Sequence, residues 1–211
     1  MYSVIVLCAG KGTRTGLDYN KMLYKVNEKT VYEMTIDCFL SDAQCGQIIV
    51  VTQAFERNTF KELSFDSRIE FVDGGKERQD SVYKGLMNVR YEYVLIHDGA
   101  RPYLKKQYID ALLESLQCHR ACLLMVPVKD TIKEVVDGVV VKTLKRASLM
   151  QAQTPQAFHL DIIKEAYKKG IEEGFQATDD AQMVEAFTDE KVYVVVGDYE
   201  NKKITTQEDL I

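Results

Sequence analysis

The feature that most constrains the fold is an alternation of short apolar runs with amphipathic stretches, sustained along most of the 211 residues. Residues 2–8 (YSVIVLC), 47–52 (QIIVVT), 68–72, 93–97 (YVLIH) and 121–128 (ACLLMVPV) are β-branched and apolar, as strands covered on both faces are. Between them, residues 31–40, 54–63, 79–89 and 105–118 read as helices. Parallel strands need helical crossovers, so this rhythm predicts an α/β, Rossmann-like, mainly parallel sheet with helices on both faces. The rhythm breaks after residue 130. Asp137-Gly138 between two β-branched runs suits a type I′ turn, which predicts a protruding β-hairpin arm over about 131–146. An isolated hairpin is marginal, so the arm is expected to pack on something, such as a second subunit. Helices near 161–173 and 179–187 and a strand at 192–196 follow, and residues 205–211 read as the start of a capped helix. Without repeats, low-complexity tracts or a linker, residues 1–211 are expected to form a single domain.

Ligands of an open α/β sheet bind where strands end, and the chemistry-bearing residues concentrate there. The first strand runs into Ala9-Gly10-Lys11-Gly12-Thr13-Arg14, with Lys21 seven residues on. Glycines let backbone approach an anion, and Arg and Lys bring positive charge to it, so the loop suits phosphates. It is not a Walker A loop, because Thr13-Arg14 stands where Lys-Ser or Lys-Thr is required. A third glycine at the dinucleotide spacing is missing, which argues against a nicotinamide dehydrogenase. Taken alone, the loop also has a reading as a tight structural turn.

Four further clusters have a functional and a structural reading each. In 73–81 (DGGKERQDS), the glycine pair and Ser81 suit a base or ribose, or form a plain loop and helix cap. In 97–102 (HDGARP), Asp98 suits a Mg²⁺-side carboxylate and Arg101 a second phosphate, or the two pair internally. His97 is expected to be packed or hydrogen-bonded rather than a general base. The third cluster comprises 127–133 (PVKDTIK), Lys145-Arg146 and 153–156 (QTPQ); Arg146 is a ligand or a solvated charge. Thr178-Asp179-Asp180, in the fourth, is a binding element or a helix cap.

The net charge of −5 argues against a nucleic-acid partner. No apolar run reaches the roughly 18 residues of a transmembrane helix, and the chain opens on a strand rather than a secretion signal. The five cysteines lack a C-x-x-C pair and the three histidines are scattered, so a protein-built zinc site is not expected. The thiols fit buried apolar fillers in a reducing cytosol, which predicts a cytoplasmic protein.

Together these segments resemble the cytidylyltransferases that make 4-diphosphocytidyl-2-C-methyl-D-erythritol from CTP and 2-C-methyl-D-erythritol 4-phosphate in non-mevalonate isoprenoid biosynthesis. The matching pieces are AGKGTR (9–14) with Lys21, DGG with Arg78 and Ser81-Val82, HDGARP, PVKDTIK, and Arg146 with QTPQ. TDDA (178–181) and NKKITTQEDL (201–210) complete the set, in family order across nearly the whole chain. The resemblance implies a homodimer whose arm reaches into the partner's site, with Mg²⁺ as cofactor. It implies that Arg14 and Lys21 stabilise the transition state on the CTP phosphates, while Arg146 and Lys203 position the sugar phosphate. Cys8, Ala9, Gly10, Gly12, Gly74 and Ser81 would hold the nucleotide. Asp98 would serve nucleotide and metal, and would line the acceptor side with Arg101, Thr131, Thr154 and Thr178.

Two positions depart from the family pattern. Its usual Pro-Lys-Gln is Asn20-Lys21-Met22 here, which puts in question how rigidly Lys21 is aimed. Its Asn-Ile-Lys is Asn201-Lys202-Lys203, which makes Lys202 a rival to Lys203. A ribitol-5-phosphate cytidylyltransferase is the sister alternative; Asp98-Gly-Ala-Arg101 and Thr178-Asp-Asp-Ala181 favour methylerythritol phosphate. A non-catalytic nucleotide-binding module is the alternative of another class. Retention of Arg14, Lys21, Asp98, Arg146 and Lys203 together speaks against it.

Overall fold

Strand β1 (Tyr2–Leu7) is apolar on both sides and lies inside a seven-stranded sheet. The computed structural model describes residues 1–10 and 15–210. On one side β1 pairs in parallel with β4 (Cys45–Thr52), which pairs with β5 (Ile69–Asp73). On the other it pairs in parallel with β6 (Tyr93–Asp98). Beyond β6 lies β10 (Met150–His159), antiparallel to β6 and to β7 (Ala121–Pro127). The edge strand β11 (Val192–Val196) pairs in parallel with β7. The chain therefore leaves β1 in one direction for β4 and β5 and returns across it to β6. Loops after β1 and β6 diverge at that reversal, which opens a crevice at the carboxyl edge.

Helices cover both faces, as the alternating pattern predicts. Val31, Tyr32, Ile36 and Phe39 of α1 (Val31–Leu40) share one apolar core with Phe60 of α2 (Arg57–Leu63) and with Ile109, Leu112 and Leu113 of α4 (Lys106–Ser115). Val82 and Leu86 of α3 (Arg78–Leu86), Ile162, Ile163 and Tyr167 of α5 (Leu160–Glu172), and Met183 and Val184 of α6 (Asp180–Phe187) form the other. Strand β1 feeds both: Tyr2, Val4 and Val6 face the first core and Ile5 the second, the two-residue period of a buried strand. Each such side chain contributes roughly 1.5–3 kcal/mol when fully buried.

The arm stands apart as its own two-stranded sheet of β8 (Lys133–Val136) and β9 (Val139–Thr143). Asp137 and Gly138 turn it with φ of 49° and 79°, the positive pair that a type I′ turn needs. Four features differ from the sequence expectation. A small hairpin of β2 (Lys25–Val26) and β3 (Lys29–Thr30) precedes α1. The antiparallel β10 was not foreseen, because MQAQTPQAFH neither alternates nor lacks proline. Its register shifts between Ala152 and Gln156, around that proline. The helix predicted at 54–63 is shorter and begins at Arg57, after a turn in which Glu56 N donates to Gln53 O at 3.1 Å. All five cysteines are free, as expected, but Cys118 is exposed rather than a core filler.

Candidate active site

A cleft of about 510 Å³ opens at the crevice between β1 and its neighbours. Cys8, Ala9 and Gly10 line it from the end of β1, Gly75, Lys76 and Glu77 from the turn between β5 and α3, and Arg78 and Ser81 from the first turn of α3. Asp98 and Ala100 enter after β6, Lys21 and Met22 from a 3₁₀ turn over Lys21–Leu23, and Lys203 and Thr205 from the loop after β11. Among these described residues, four cationic side chains (Lys21, Lys76, Arg78, Lys203) face two carboxylates (Glu77, Asp98). A chain of net charge −5 thus gathers positive charge at one place, as an anionic ligand requires.

Backbone contacts keep the walls close. Gly74 N donates to Thr52 O at 2.8 Å, and Gly75 N donates to Ser81 Oγ at 2.9 Å. A Cβ on Gly75 would come within 2.1 Å of Asp80 Cβ, so only glycine fits that bend. Ile204 N donates to Ala100 O at 2.8 Å, which ties the loop after β11 to the loop after β6. Lys21 Nζ donates to Ile204 O at 2.7 Å, so the ammonium is held at this junction, on the cleft wall.

Asp98 is the electrostatic hub. Its carboxylate lies 2.7 Å from Lys203 Nζ, 3.4 Å from Arg78 Nε and 3.9 Å from Arg101 Nε. Burial works against its charge, yet Arg78, Lys203 and Arg101 outweigh burial and hold the carboxyl well below the usual range. Of the two neighbouring lysines, Lys203 lines the cleft, whereas Lys202 Nζ stands 6.0 Å from the centroid of the Tyr103 ring.

Asp180, which the sequence places in its fourth cluster without a role of its own, proves to be a partner of Arg78. It is fully buried and grips Arg78 bidentately, Oδ1 to Nη1 at 3.0 Å and Oδ2 to Nη2 at 2.8 Å. Tyr167 Oη also donates to it, at 2.6 Å. Burial opposes the charge of Arg78, but Asp180 and Asp98 prevail and bind its proton more tightly still. The signal was the doubled Asp179-Asp180: Asp179 caps α6 by accepting from Gln182 N, leaving Asp180 to turn inward. Arg78, quoted in its cluster without a role, thereby links the two carboxylates.

Behind Asp98, His97 is fully buried and Thr154 5% exposed. Asp98 N donates to Thr154 Oγ1 at 3.0 Å, and His97 Nε2 lies 3.2 Å from Arg101 O. A carbonyl only accepts, so Nε2 carries the proton and Nδ1 accepts from the Thr154 hydroxyl at 3.0 Å. Burial lowers the His97 pKa to about 4. The ring is a neutral strut, not a base, as the sequence suggested.

The structure does not bring every expected residue to the cleft lining. Thr154 lies beneath it. Arg101 sits alongside, its Nη1 donating to Asn201 O at 2.7 Å. Gly74 borders it through the wall contacts above. Thr178 is exposed and donates to Gln182 Oε1. Thr131 and Arg146 belong to the arm region, where Arg146 Nη1 donates to Lys129 O at 2.8 Å. Gly12 and Arg14 lie outside the described residues. Among the described residues no three His, Cys, Asp or Glu side chains gather as a metal cage.

A doubly covered, mainly parallel sheet with a cationic cleft at its strand-order reversal defines an α/β protein built to bind a phosphate-bearing ligand. The chain belongs to the 2-C-methyl-D-erythritol 4-phosphate cytidylyltransferase family, whose model matches residues 2–211. It is 42% identical over 215 residues to the enzyme of that name from Bacillus pumilus, covering 100% of this chain and 94% of the relative. The Bacillus mycoides enzyme of the same name is 41% identical over 216 residues, covering 100% of this chain and 95% of the relative. The crystal structure of 4-diphosphocytidyl-2C-methyl-D-erythritol synthase from Anaerococcus prevotii superposes with a TM-score of 0.88 at 34% identity, covering 99% of this chain and 94% of that one. The 2-C-methyl-D-erythritol 4-phosphate cytidylyltransferase of Thermus thermophilus gives 0.82 at 28%, covering 99% and 95%.

Proposed function

We propose that this chain transfers CMP from CTP to 2-C-methyl-D-erythritol 4-phosphate, releasing pyrophosphate and forming 4-diphosphocytidyl-2-C-methyl-D-erythritol. The observation that carries the reading is the cationic cleft at the carboxyl edge, in a chain of this family. The acceptor phosphate is already an anion, so its attack on the α-phosphorus needs no general base. It needs in-line placement, shielding of anion from anion, and stabilisation of charge spread over the transition state. The neutral, fully engaged His97 agrees with that requirement. Cys8, Ala9, Gly10, Gly12, Gly74 and Ser81 hold the nucleotide, and Lys21 with Arg14 takes the developing phosphate charge. Lys203, fixed by Asp98, and Arg101 direct the acceptor phosphate, with Thr131, Thr154 and Thr178 on the acceptor side.

Asp98 also fits a divalent ion arriving with the triphosphate. Its neighbours keep it ionised, and a carboxylate has about four lone-pair positions, more than Lys203 and Arg78 use. Mg²⁺ bound there would neutralise charge on the triphosphate oxygens.

In this reading residues 1–211 form one nucleotidyltransferase domain that works as a cytoplasmic homodimer. No helix among the described residues is long and apolar enough to cross a membrane. The arm exposes Val135, Val136, Val139, Val140 and Val141, each more than half accessible, which fits burial against a second copy. The arm then carries Arg146 and Thr131 into the partner's cleft.

The test is pyrophosphate release from CTP and Mg²⁺ with 2-C-methyl-D-erythritol 4-phosphate and ribitol 5-phosphate in parallel. Turnover of the first alone is expected. Turnover of ribitol 5-phosphate alone overturns the acceptor, and CTP binding without turnover of either overturns the enzyme.

A further inference from the structure

Asn20 stands next to Lys21, at the start of the 3₁₀ turn over Lys21–Leu23, and it is 5% exposed. Its Nδ2 donates to Cys8 O and to Glu56 Oε2, both at 2.9 Å, and its Oδ1 accepts from Met22 N at 3.0 Å. Cys8 follows β1 and Asn20 precedes the Lys21 turn, so one side chain ties these two segments together. Glu56, just before α2, backs the same amide. The turn is held from its far side too. Met22 is 2% exposed, and a Cβ on Gly99 would lie 2.8 Å from Met22 Cε and from Cys8 Sγ. With Asn20 and Met22 both fixed, the residue between them has little freedom in how it enters the cleft.

We propose that Asn20 is a positioning residue for the transfer: its amide clamps the Lys21 turn to the end of β1 and to Glu56, and so aims Lys21 at the triphosphate. The proposal rests on the role given to Lys21 above. An amide is required, because both Nδ2 partners are acceptors; an aspartate would lose both donations and set a like charge against Glu56.

The experiment is steady-state pyrophosphate release for Asn20→Ala, Asn20→Asp, Lys21→Ala and the Asn20→Ala/Lys21→Ala double variant, with melting temperatures measured alongside. Rates are sensitive to displacements of about 1 Å, so kcat is expected to fall at least about tenfold in both Asn20 variants while KM for CTP changes less than about threefold. In the Lys21→Ala background, Asn20→Ala should cost less than about twofold, since the group being aimed is gone. Asn20→Asp retains the capping oxygen and decides the matter if Asn20→Ala does not fold. An Asn20→Asp enzyme with wild-type kcat, or an equal loss with and without Lys21, overturns the proposal. A Lys21→Ala enzyme with wild-type activity overturns the role of Lys21 and this proposal with it; normal Asn20 variants beside a crippled Lys21→Ala overturn this proposal alone.

Discussion

At the scale of single residues, the site is shaped by carboxylates that serve cations. Asp180 has no solvent exposure, and half-buried Arg78 depends on it for two of its hydrogen bonds. Breaking a buried pair from one side costs about 3–5 kcal/mol, so Asp180→Ala is expected to lower unfolding free energy by about 3 kcal/mol, the low end because Arg78 keeps some solvent. Urea denaturation measures this, and a loss below about 1 kcal/mol would deny the pair its structural weight. His97 gives a pH signature. Its folded pKa of about 4 lies below the ordinary 6.5, so in that interval the unfolded chain binds the proton and the folded one does not. Its contribution is complete above about pH 6.5 and is lost as pH falls towards 4, with a slope near 1.4 kcal/mol per pH unit. Melting scans from pH 7 to 4.5 should show this decline, flattened in His97→Gln; an identical slope in the variant would assign the effect elsewhere. Arg78 was legible as a charge in a glycine-rich turn, whereas its partner Asp180 was hidden behind Asp179, a helix cap by local pattern.

At the scale of elements, what was legible followed from periodicity. Strands β1, β4, β6, β7 and β11 announce themselves by β-branched runs, and the arm by Asp137-Gly138. Strand β10 does not, because its place between β6 and β7 comes from long-range pairing that no local pattern encodes. That strand carries Thr154 to Asp98 and His97, so part of the site's support was invisible with it. The turn between β5 and α3 was visible as a glycine pair, but the reason for Gly75 is tertiary: Asp80 fills the space a side chain would take. Gly75→Ala must displace that wall. Shifts of about 1 Å can cost up to about 10²-fold in rate, so kcat/KM for CTP is expected to fall at least about tenfold with the fold intact. An unchanged kcat/KM would show that the turn does not hold the nucleotide.

At the scale of the whole molecule, the arm and the edge strand β11 leave apolar surface uncovered, including Val139, Val140, Tyr193, Val194 and Val196. If the arm's Arg146 completes the partner's cleft, two dead variants can restore each other. A Lys21→Ala subunit paired with an Arg146→Ala subunit regenerates one intact site per mixed dimer, so random pairing should recover about a quarter of wild-type activity. No recovery on co-expression would place Arg146 outside the site. The larger pattern is charge segregation: a chain of net −5 collects Lys21, Lys76, Arg78 and Lys203 around one cleft, and chemistry between two phosphates needs that charge more than any acid or base. The measurement that tests this most directly is kcat of Lys21→Ala with CTP and 2-C-methyl-D-erythritol 4-phosphate. Removing one preorganised electrostatic group should cost roughly 10²–10³-fold. A variant within about threefold of wild type would contradict the account, because the transfer would then not depend on the charge that the cleft gathers.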